Sequence, residues 1–261
     1  MSVDLAATTW GSPKLSAVLL IHGPACCGGT WAPIAERLAD QYHLIAPDLR
    51  GHGNSPRQDS YEFEEFIGDL DAYANARGLQ RFAIIGHSMG GLLAMAYAIR
   101  YPERVSSLVS IDFSVPVPQW QVDYAQRACL NPVRTFTTEA EGLAYLRRAF
   151  SRTASDETLR QLASGVLGQI DSGWRFKVDP GALREFTDFP RAPEIERVRC
   201  RTLLFRGSDS RVMDRGGGIA MLRRIARARL VQIPRAGHYV HLDNPAATAD
   251  ELRRFLEEVP D

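Results

Sequence analysis

The sequence lacks net charge, a long apolar run and a cysteine framework. Its 31 basic and 31 acidic side chains cancel, so no overall positive field is available to attract nucleic-acid phosphates. No apolar run approaches the roughly 18 residues that a membrane-spanning helix needs. We therefore expect neither a nucleic-acid partner nor a membrane partner. An apolar content of 45% at zero net charge excludes disorder as the main state of the 261-residue chain.

Cysteine is scarce as well. None of the four cysteines belongs to a Cys-x-x-Cys pair or to a Cys/His cluster with zinc-binding spacing. We expect free thiols, with no metal and no cofactor. Residues Met1 to Trp10 show no basic stretch followed by an apolar one, so the sequence predicts no signal peptide and a cytoplasmic location.

Short β-rich apolar segments alternate with segments of helical periodicity along most of the chain. This alternation predicts an α/β fold, in which a mostly parallel twisted sheet is flanked by helices. Between 114 and 190 the alternation stops and amphipathic segments replace it, which predicts a helical cap inserted into a core of residues 1–113 and 191–261. The predicted strands are 17–21, 43–47, 82–85, 107–111, 202–205 and 230–233. The predicted core helices are 31–39, 63–77, 90–100, 218–228 and 247–259.

A Gly-x-Ser-x-Gly motif, Gly86-His87-Ser88-Met89-Gly90, lies between a predicted strand and a predicted helix. A tight strand-to-helix turn needs glycine on both sides, because a Cβ would crowd the bend. Such a turn lifts the Ser88 hydroxyl out of the sheet and surrounds it with backbone N–H groups that favour an anion. Ser88 is therefore predicted to be a nucleophile.

A serine hydroxyl is a poor nucleophile near neutral pH and needs a base in contact, with a third group to hold that base. Of the six histidines, His238 follows the last predicted strand, at the sheet edge where open α/β sheets keep their sites. We predict that His238 is the base, with His241 as its rival three residues further on.

The acid that orients the base is expected at a strand end between Ser88 and His238. Asp209 follows the fifth predicted strand and is predicted to be this acid, which gives a triad of Ser88, Asp209 and His238. Asp112, at the end of the fourth predicted strand, is the main alternative. Asp214 is a second alternative, further from its strand end.

These motifs, in the chain order Ser, Asp, His, resemble the α/β-hydrolase-fold superfamily, in its compact form with a helical cap. Members of that family open with two antiparallel strands, and the short N-terminus here leaves room for one, within Val3 to Trp10. The segments that carry the resemblance are Leu20–Gly23, Asp48–Ser55, Gly86–Gly91, Tyr101–Val105, the turn at Asp209, and Ala236–His238.

The resemblance implies a serine hydrolase that cleaves a small to medium carboxylic ester or lactone through an acyl-enzyme on Ser88. The family's dehalogenases and epoxide hydrolases use an aspartate at the elbow, so Ser88 argues against both. Family members that do not acylate stay open: C–C bond hydrolases or lyases, and cofactor-free oxygenases. A non-catalytic ligand-binding receptor is the remaining alternative. In each case the expected partner is a small molecule, and the oligomeric state is open.

The family's oxyanion hole uses two backbone N–H groups, and one of them is unusual here. The first belongs to the residue after the serine, which is Met89. The second commonly belongs to the residue after His-Gly, which here is Pro24 and has no N–H. Either the loop shifts so that Ala25 or Cys26 supplies the donor, or a side chain supplies it, or the chemistry differs.

Residues that line the substrate site are expected in the cap and beside the elbow. The cap contains aromatic residues that suit an apolar or aromatic substrate, although most of them are expected to form the cap's own core. The predicted substrate-binding residues are His22, His87, Trp120, Tyr124 and Trp174.

Overall fold

The structure is a computed structural model that describes residues 3–123, 134–185 and 194–258. Its strands are β1 (Ala7–Trp10), β2 (Ser16–Ile21), β3 (Tyr42–Pro47), β4 (Phe82–His87), β5 (Val105–Ile111), β6 (Thr135–Phe136), β7 (Leu167–Ile170), β8 (Gly173–Phe176), β9 (Arg201–Gly207) and β10 (Ala228–Ile233). Its helices are α1 (Ala32–Leu38), α2 (Phe63–Ala76), α3 (Met89–Arg100), α4 (Glu139–Ala149), α5 (Asp156–Val166), α6 (Pro180–Glu185), α7 (Arg215–Arg224), α8 (Val240–Asp243) and α9 (Pro245–Glu257). Short 3₁₀ helices cover Gly28–Trp31 and Ile195–Arg197.

Seven strands form the central sheet, in the order β1-β3-β2-β4-β5-β9-β10. β1 pairs antiparallel with β3, and the other neighbours in this sheet are parallel. The predicted α/β class with a mostly parallel sheet is therefore confirmed. β1 is also the N-terminal strand expected within residues 3–10. Because parallel strands end at one edge, the carboxyl ends of β4, β5 and β9 lie side by side, which is where sites form in such sheets.

Apolar residues fill both faces of the sheet. On β4, Ile84 belongs to the cluster that packs with α2 and α3, whereas Ile85 belongs to the cluster that packs with α1 and α9. Successive side chains of a strand point to opposite faces, so a strand with helices on both sides must be apolar throughout. β4 is buried along its whole length, which fixes the position of the turn that follows it.

The segment between β5 and β9, called the inserted layer below, contains α4, α5 and α6 and packs against the core. It also contains a three-stranded antiparallel sheet, β6-β8-β7, which the sequence analysis did not predict. This layer is joined to the core by backbone hydrogen bonds from Gly53 N to Lys177 O (2.8 Å) and from Asp179 N to Gly51 O (2.7 Å). The predicted boundary at 190/191 lies outside the described residues. Among the described helices, none combines the length and the apolar character needed to cross a bilayer.

Candidate active site

Ser88 lies in a strained turn between β4 and α3. Its backbone has φ 55° and ψ −121°, a conformation that a non-glycine residue adopts only where the surroundings impose it. The flanking glycines are required. A Cβ on Gly86 would lie 2.0 Å from the carbonyl oxygen of Gly90, and a Cβ on Gly90 would lie 2.2 Å from the carbonyl oxygen of Ile21. The turn leaves Ser88 partly exposed while Met89 is buried.

His238 is bonded to Asp112. Its Nδ1 lies 2.8 Å from Oδ2 of Asp112, whose side chain is fully buried, while that of His238 keeps 24% of its surface exposed. The carboxylate also accepts hydrogen bonds from Ser210 Oγ (2.5 Å) and from the backbone N–H of Gly207 (3.2 Å). A carboxylate can only accept, so Nδ1 of His238 carries the proton and Nε2 is left as a base.

Asp209 does not take the predicted place. It is exposed, its Oδ1 accepts a hydrogen bond from Ser208 Oγ at 3.0 Å, and its backbone N–H bonds to Ala236 O. The turn after β9 directs Ser210, and not Asp209, toward the buried carboxylate of Asp112. The prediction of Asp209 as the orienting acid is therefore corrected in favour of Asp112.

Asp214, the second alternative, caps helix α7, where its side chain accepts a hydrogen bond from Gly217 N at 2.6 Å. Its carboxylate thus satisfies one of the free N–H groups at a helix start. Asp214 has a structural role at the N-terminus of this helix.

Two hydrogen bonds join the Ser88 turn to the strand end before Asp112 and to the loop that carries His238. The backbone N–H of Ser88 bonds to Ile111 O at 2.9 Å, one residue before Asp112. Nε2 of His87, one residue before Ser88, bonds to the carbonyl oxygen of His238 at 2.9 Å. The turn that holds Ser88, the strand end that holds Asp112 and the loop that holds His238 are therefore joined through adjacent residues at one edge of the sheet.

His22, His52, His87 and His241 are fully buried and are kept neutral by that burial. Desolvation lowers the pKa of His22 to about 4, and the pKa values of His52 and His241 to about 3 each. The same cause lowers the pKa of His87 well below its usual value, with the nearby His238 adding to it. These four rings are unsuited to act as solvent-exposed bases, and His241, the rival base, is stacked on Trp31 with 4.6 Å between ring centres.

The two histidines predicted to bind substrate lie beneath the site. Both ring nitrogens of His22 are occupied: Nδ1 donates to Gly23 O at 2.8 Å, and Nε2 accepts from Leu49 N at 2.9 Å. The structure thus contradicts a substrate contact for His22, which instead fixes two loops. His87 is 1% exposed, and its contact with His238 makes it a support for the base. This burial is likewise at odds with substrate binding by His87.

The loop after β2 lies against the nucleophile. A Cβ on Gly23 would lie 3.3 Å from Cβ of Ser88. The N–H of Cys26 bonds to Gly23 O at 3.3 Å, and Ala25 has φ 55°, which together make a β-turn of the type with positive φ at its third residue. This turn consumes the N–H of Cys26, so that donor is not available to an oxyanion.

The aromatic residues predicted to bind substrate differ in how far they are buried. Trp120 is 49% exposed, Trp174 is partly buried on β8, and Tyr124 lies outside the described residues. Tyr239 also belongs to the site, although the sequence pattern does not predict it: its ring lies 5.1 Å from that of His238 and 4.8 Å from that of Phe150. Its position next to His238 was the available signal.

The thiols near the site are buried, and this burial favours their protonated form. Burial raises the pKa of Cys27 to about 12, and raises that of Cys26 as well. Cys27 packs against α5, since a Cβ on Gly165 would lie 2.3 Å from its sulfur. Cys26, Cys27 and Cys200 are free, and the fourth cysteine, Cys129, lies outside the described residues. No group of three or more His, Cys, Asp or Glu within 3–123, 134–185 and 194–258 has the arrangement of a metal site.

Comparison with known proteins gives consistent matches. A family profile for the α/β-hydrolase fold matches residues 16–245. Esterase YbfF from Escherichia coli (strain K12) is 26% identical over 261 residues, which cover 97% of this chain and 98% of that protein. 2-Hydroxymuconate semialdehyde hydrolase from Pseudomonas putida is 28% identical over 264 residues, which cover 92% and 86%.

Among solved structures, the crystal structure of E-2-(acetamidomethylene)succinate hydrolase superposes with a TM-score of 0.90 at 24% identity, covering 98% of this chain and 96% of that chain. At this identity the likeness shows a shared fold.

Proposed function

The chain belongs to the α/β-hydrolase-fold family, and we propose that it is a serine hydrolase that cleaves a small to medium carboxylic ester or lactone. The observation that carries the proposal is the contact of 2.8 Å between Nδ1 of His238 and Oδ2 of Asp112. This contact leaves Nε2 of His238 as a base on the side of the ring opposite Asp112, as a serine nucleophile requires. The similarity to an esterase supports the ester class.

In the proposed mechanism Ser88 Oγ attacks the carbonyl carbon while Nε2 of His238 takes the hydroxyl proton. His238 then returns this proton to the leaving alcohol, and Ser88 keeps the acyl group. Water then adds to the acyl-enzyme as His238 takes its proton, and His238 returns this proton to Ser88 Oγ when the carboxylic acid leaves. Asp112 holds the His238 tautomer and stabilises the imidazolium in both halves. The nucleophilic attacks and proton transfers in this mechanism use only the side chains named, the substrate and water.

Two backbone N–H groups are the proposed oxyanion donors. The N–H of Met89 is at the first position of α3, and the first N–H groups of a helix have no partner within it. The second is that of Ala25, because Pro24 has no N–H and that of Cys26 is bonded to Gly23 O. One such donor contributes about 3–4 kcal/mol to the transition state in acyl transfer.

A C–C bond hydrolase is the second candidate, and two observations favour it. The Pseudomonas putida relative is named as the hydrolase of a semialdehyde, and Pro24 stands where the usual second donor would be. In that reaction class His238 would still serve as the base, so the acyl-enzyme on Ser88 is what separates the two candidates.

The mass of the intact protein after treatment with a fluorophosphonate tests the proposal. We expect one adduct on the wild type and none on the Ser88→Ala and His238→Ala variants. A folded wild type that forms no adduct would exclude an activated serine nucleophile. If the adduct forms, an ester and lactone panel with Ser88→Ala as control follows, and ester turnover by Ser88→Ala would contradict the mechanism.

A further inference from the structure

One carboxylate, that of Asp243, joins the His238 loop to the layer between β5 and β9. Oδ2 of Asp243 accepts a hydrogen bond from the backbone N–H of Gly237 at 2.7 Å. Oδ1 accepts hydrogen bonds from Ser151 Oγ at 2.5 Å and from Thr153 Oγ1 at 2.9 Å. The two oxygens thus hold two different parts of the molecule, and Gly237 is the residue directly before His238.

On the side of the inserted layer, the Ser151 hydroxyl is held in place by its own contacts. Ser151 is 3% exposed, and its oxygen also accepts the N–H of Ala154 at 2.9 Å. This second bond leaves the hydroxyl proton of Ser151 free to point at Asp243. Arg147 closes the same turn by donating to Ala154 O at 3.0 Å. The turn at residues 151–154 is therefore held in shape by hydrogen bonds that do not involve Asp243.

The carboxylate is fixed from its own side too. Asp243 ends the one-turn helix α8, and its N–H bonds to Tyr239 O at 2.9 Å. The ring of Tyr239 contacts both His238 and Phe150, at 5.1 and 4.8 Å between centres. Hydrogen bonds to an ionised carboxylate are stronger than those between neutral groups, so the Asp243 link is a strong polar contact between this loop and the layer.

We propose that Asp243 is a positioning residue: it couples the packing of the inserted layer, at Ser151 and Thr153, to the placement of the general base His238. The inference rests on the proposed function, because His238 must act as a base for its placement to matter. Placement errors of about 1 Å in a catalytic group lower rates by about 100-fold. Asp243 therefore acts on turnover through His238 without touching the substrate.

Three variants and a control test this role: Asp243→Asn, Ser151→Ala with Thr153→Val, the combination of all three changes, and Asp250→Asn. An amide at position 243 has one acceptor oxygen in place of two, so it turns N–H donors toward either Gly237 or the hydroxyls. Asp250 is an exposed carboxylate of α9 and matches the charge change. Each protein is assayed for kcat and KM on 4-nitrophenyl acetate, and for its thermal midpoint.

We expect Asp243→Asn to lower kcat by about 10- to 100-fold with KM within about twofold, as for loss of an interaction that acts on the chemical step. The Ser151→Ala, Thr153→Val variant should show a smaller loss of the same kind. The combined variant should be only slightly slower than Asp243→Asn, because all three changes act on one connection and only the 3.3 Å hydrogen bond from Thr153 Oγ1 to the backbone oxygen of Asp243 is lost in addition. Asp250→Asn should behave as the wild type.

Opposing results separate this inference from the proposed function. Should the wild type form no fluorophosphonate adduct, both are overturned. Should the wild type be labelled while Asp243→Asn keeps its kcat and loses only thermal stability, the positioning role alone is overturned. Losses that multiply in the combined variant also overturn it. If Asp243→Asn does not fold, the Ser151→Ala, Thr153→Val variant decides: a lower kcat at constant KM supports the role, and an unchanged kcat overturns it.

Discussion

The carboxylate of Asp112 lies 2.8 Å from Nδ1 of His238, although the two residues are 126 positions apart in the chain. β5 places Asp112 beside the elbow because β5 pairs directly with β4. The loop after β10 then brings His238 back to the same edge of the sheet. This contact decides which of two aspartates at neighbouring strand ends can orient the base.

Replacing Asp112 by Asn should lower kcat by about 10³- to 10⁴-fold on an activated ester, because the amide no longer fixes the tautomer or stabilises the imidazolium. Asp209→Asn is the matched control, since Asp209 is exposed and bonded to Ser208. Steady-state kinetics on 4-nitrophenyl acetate measure both. A large loss in Asp209→Asn together with an active Asp112→Asn would reverse the assignment.

The identity of the second oxyanion donor can be checked by adding an N–H. Pro24→Ala restores a backbone donor at the position that the family commonly uses. If the N–H of Ala25 already serves, kcat on 4-nitrophenyl acetate should change by less than about threefold. A gain of about 100-fold, the size of effect that one donor has, would mean that the wild type lacks its second donor. Met89, the first donor, is unchanged in this comparison.

The glycines of the elbow should be intolerant of a methyl group. Gly90→Ala would place Cβ 2.2 Å from Ile21 O, so the free energy of unfolding should fall by about 1–3 kcal/mol or more and turnover should fall with it. Gly68→Ala is the control, because nothing lies within 4 Å of its added Cβ in α2. That change should stabilise the protein by about 0.5–1 kcal/mol. Urea unfolding of both variants measures the difference, and equal stabilities would contradict the packing argument.

Acid should destabilise the fold through its buried histidines. In the folded state the pKa is about 3 for His241 and about 4 for His22, whereas it is near 6.5 in the unfolded chain. The unfolded state thus binds more protons below about pH 6.5, and stability is lost as the pH falls toward the folded pKa. Each group costs about 2 kcal/mol between pH 8 and pH 5.

His241→Phe isolates one of these contributions. The phenyl ring keeps the stacking on Trp31 but cannot bind a proton. We expect its unfolding free energy to fall less steeply than that of the wild type between pH 8 and pH 5, by about 2 kcal/mol. The measurement is urea unfolding at fixed ionic strength across this range. If the free energy of unfolding falls equally with pH in the two proteins, His241 is not held neutral by burial.

Local patterns in the sequence determine the strands and the turn that holds Ser88. The six strands predicted from apolar runs all appear, each within a few residues of its bounds, because a strand covered on both faces must be apolar throughout. The elbow at Ser88 is also marked by a local motif, since a Cβ on Gly86 would clash with Gly90 O, four residues further on. The helix predicted at 218–228 ends instead at Arg224, because β10 begins at Ala228.

Tertiary structure decides what local patterns leave open. Both Asp112 and Asp209 follow strand ends, and the sequence pattern favours Asp209. The sheet order sets β5 next to β4, which buries Asp112 beside the elbow, and the turn after β9 exposes Asp209. The strands of the inserted sheet are two to four residues long. They are too short to show a recognisable alternation of apolar and polar residues. Sequence thus determines the strands and the Ser88 turn, and tertiary structure decides which aspartate contacts His238, because that contact depends on which strand ends lie next to each other in the sheet.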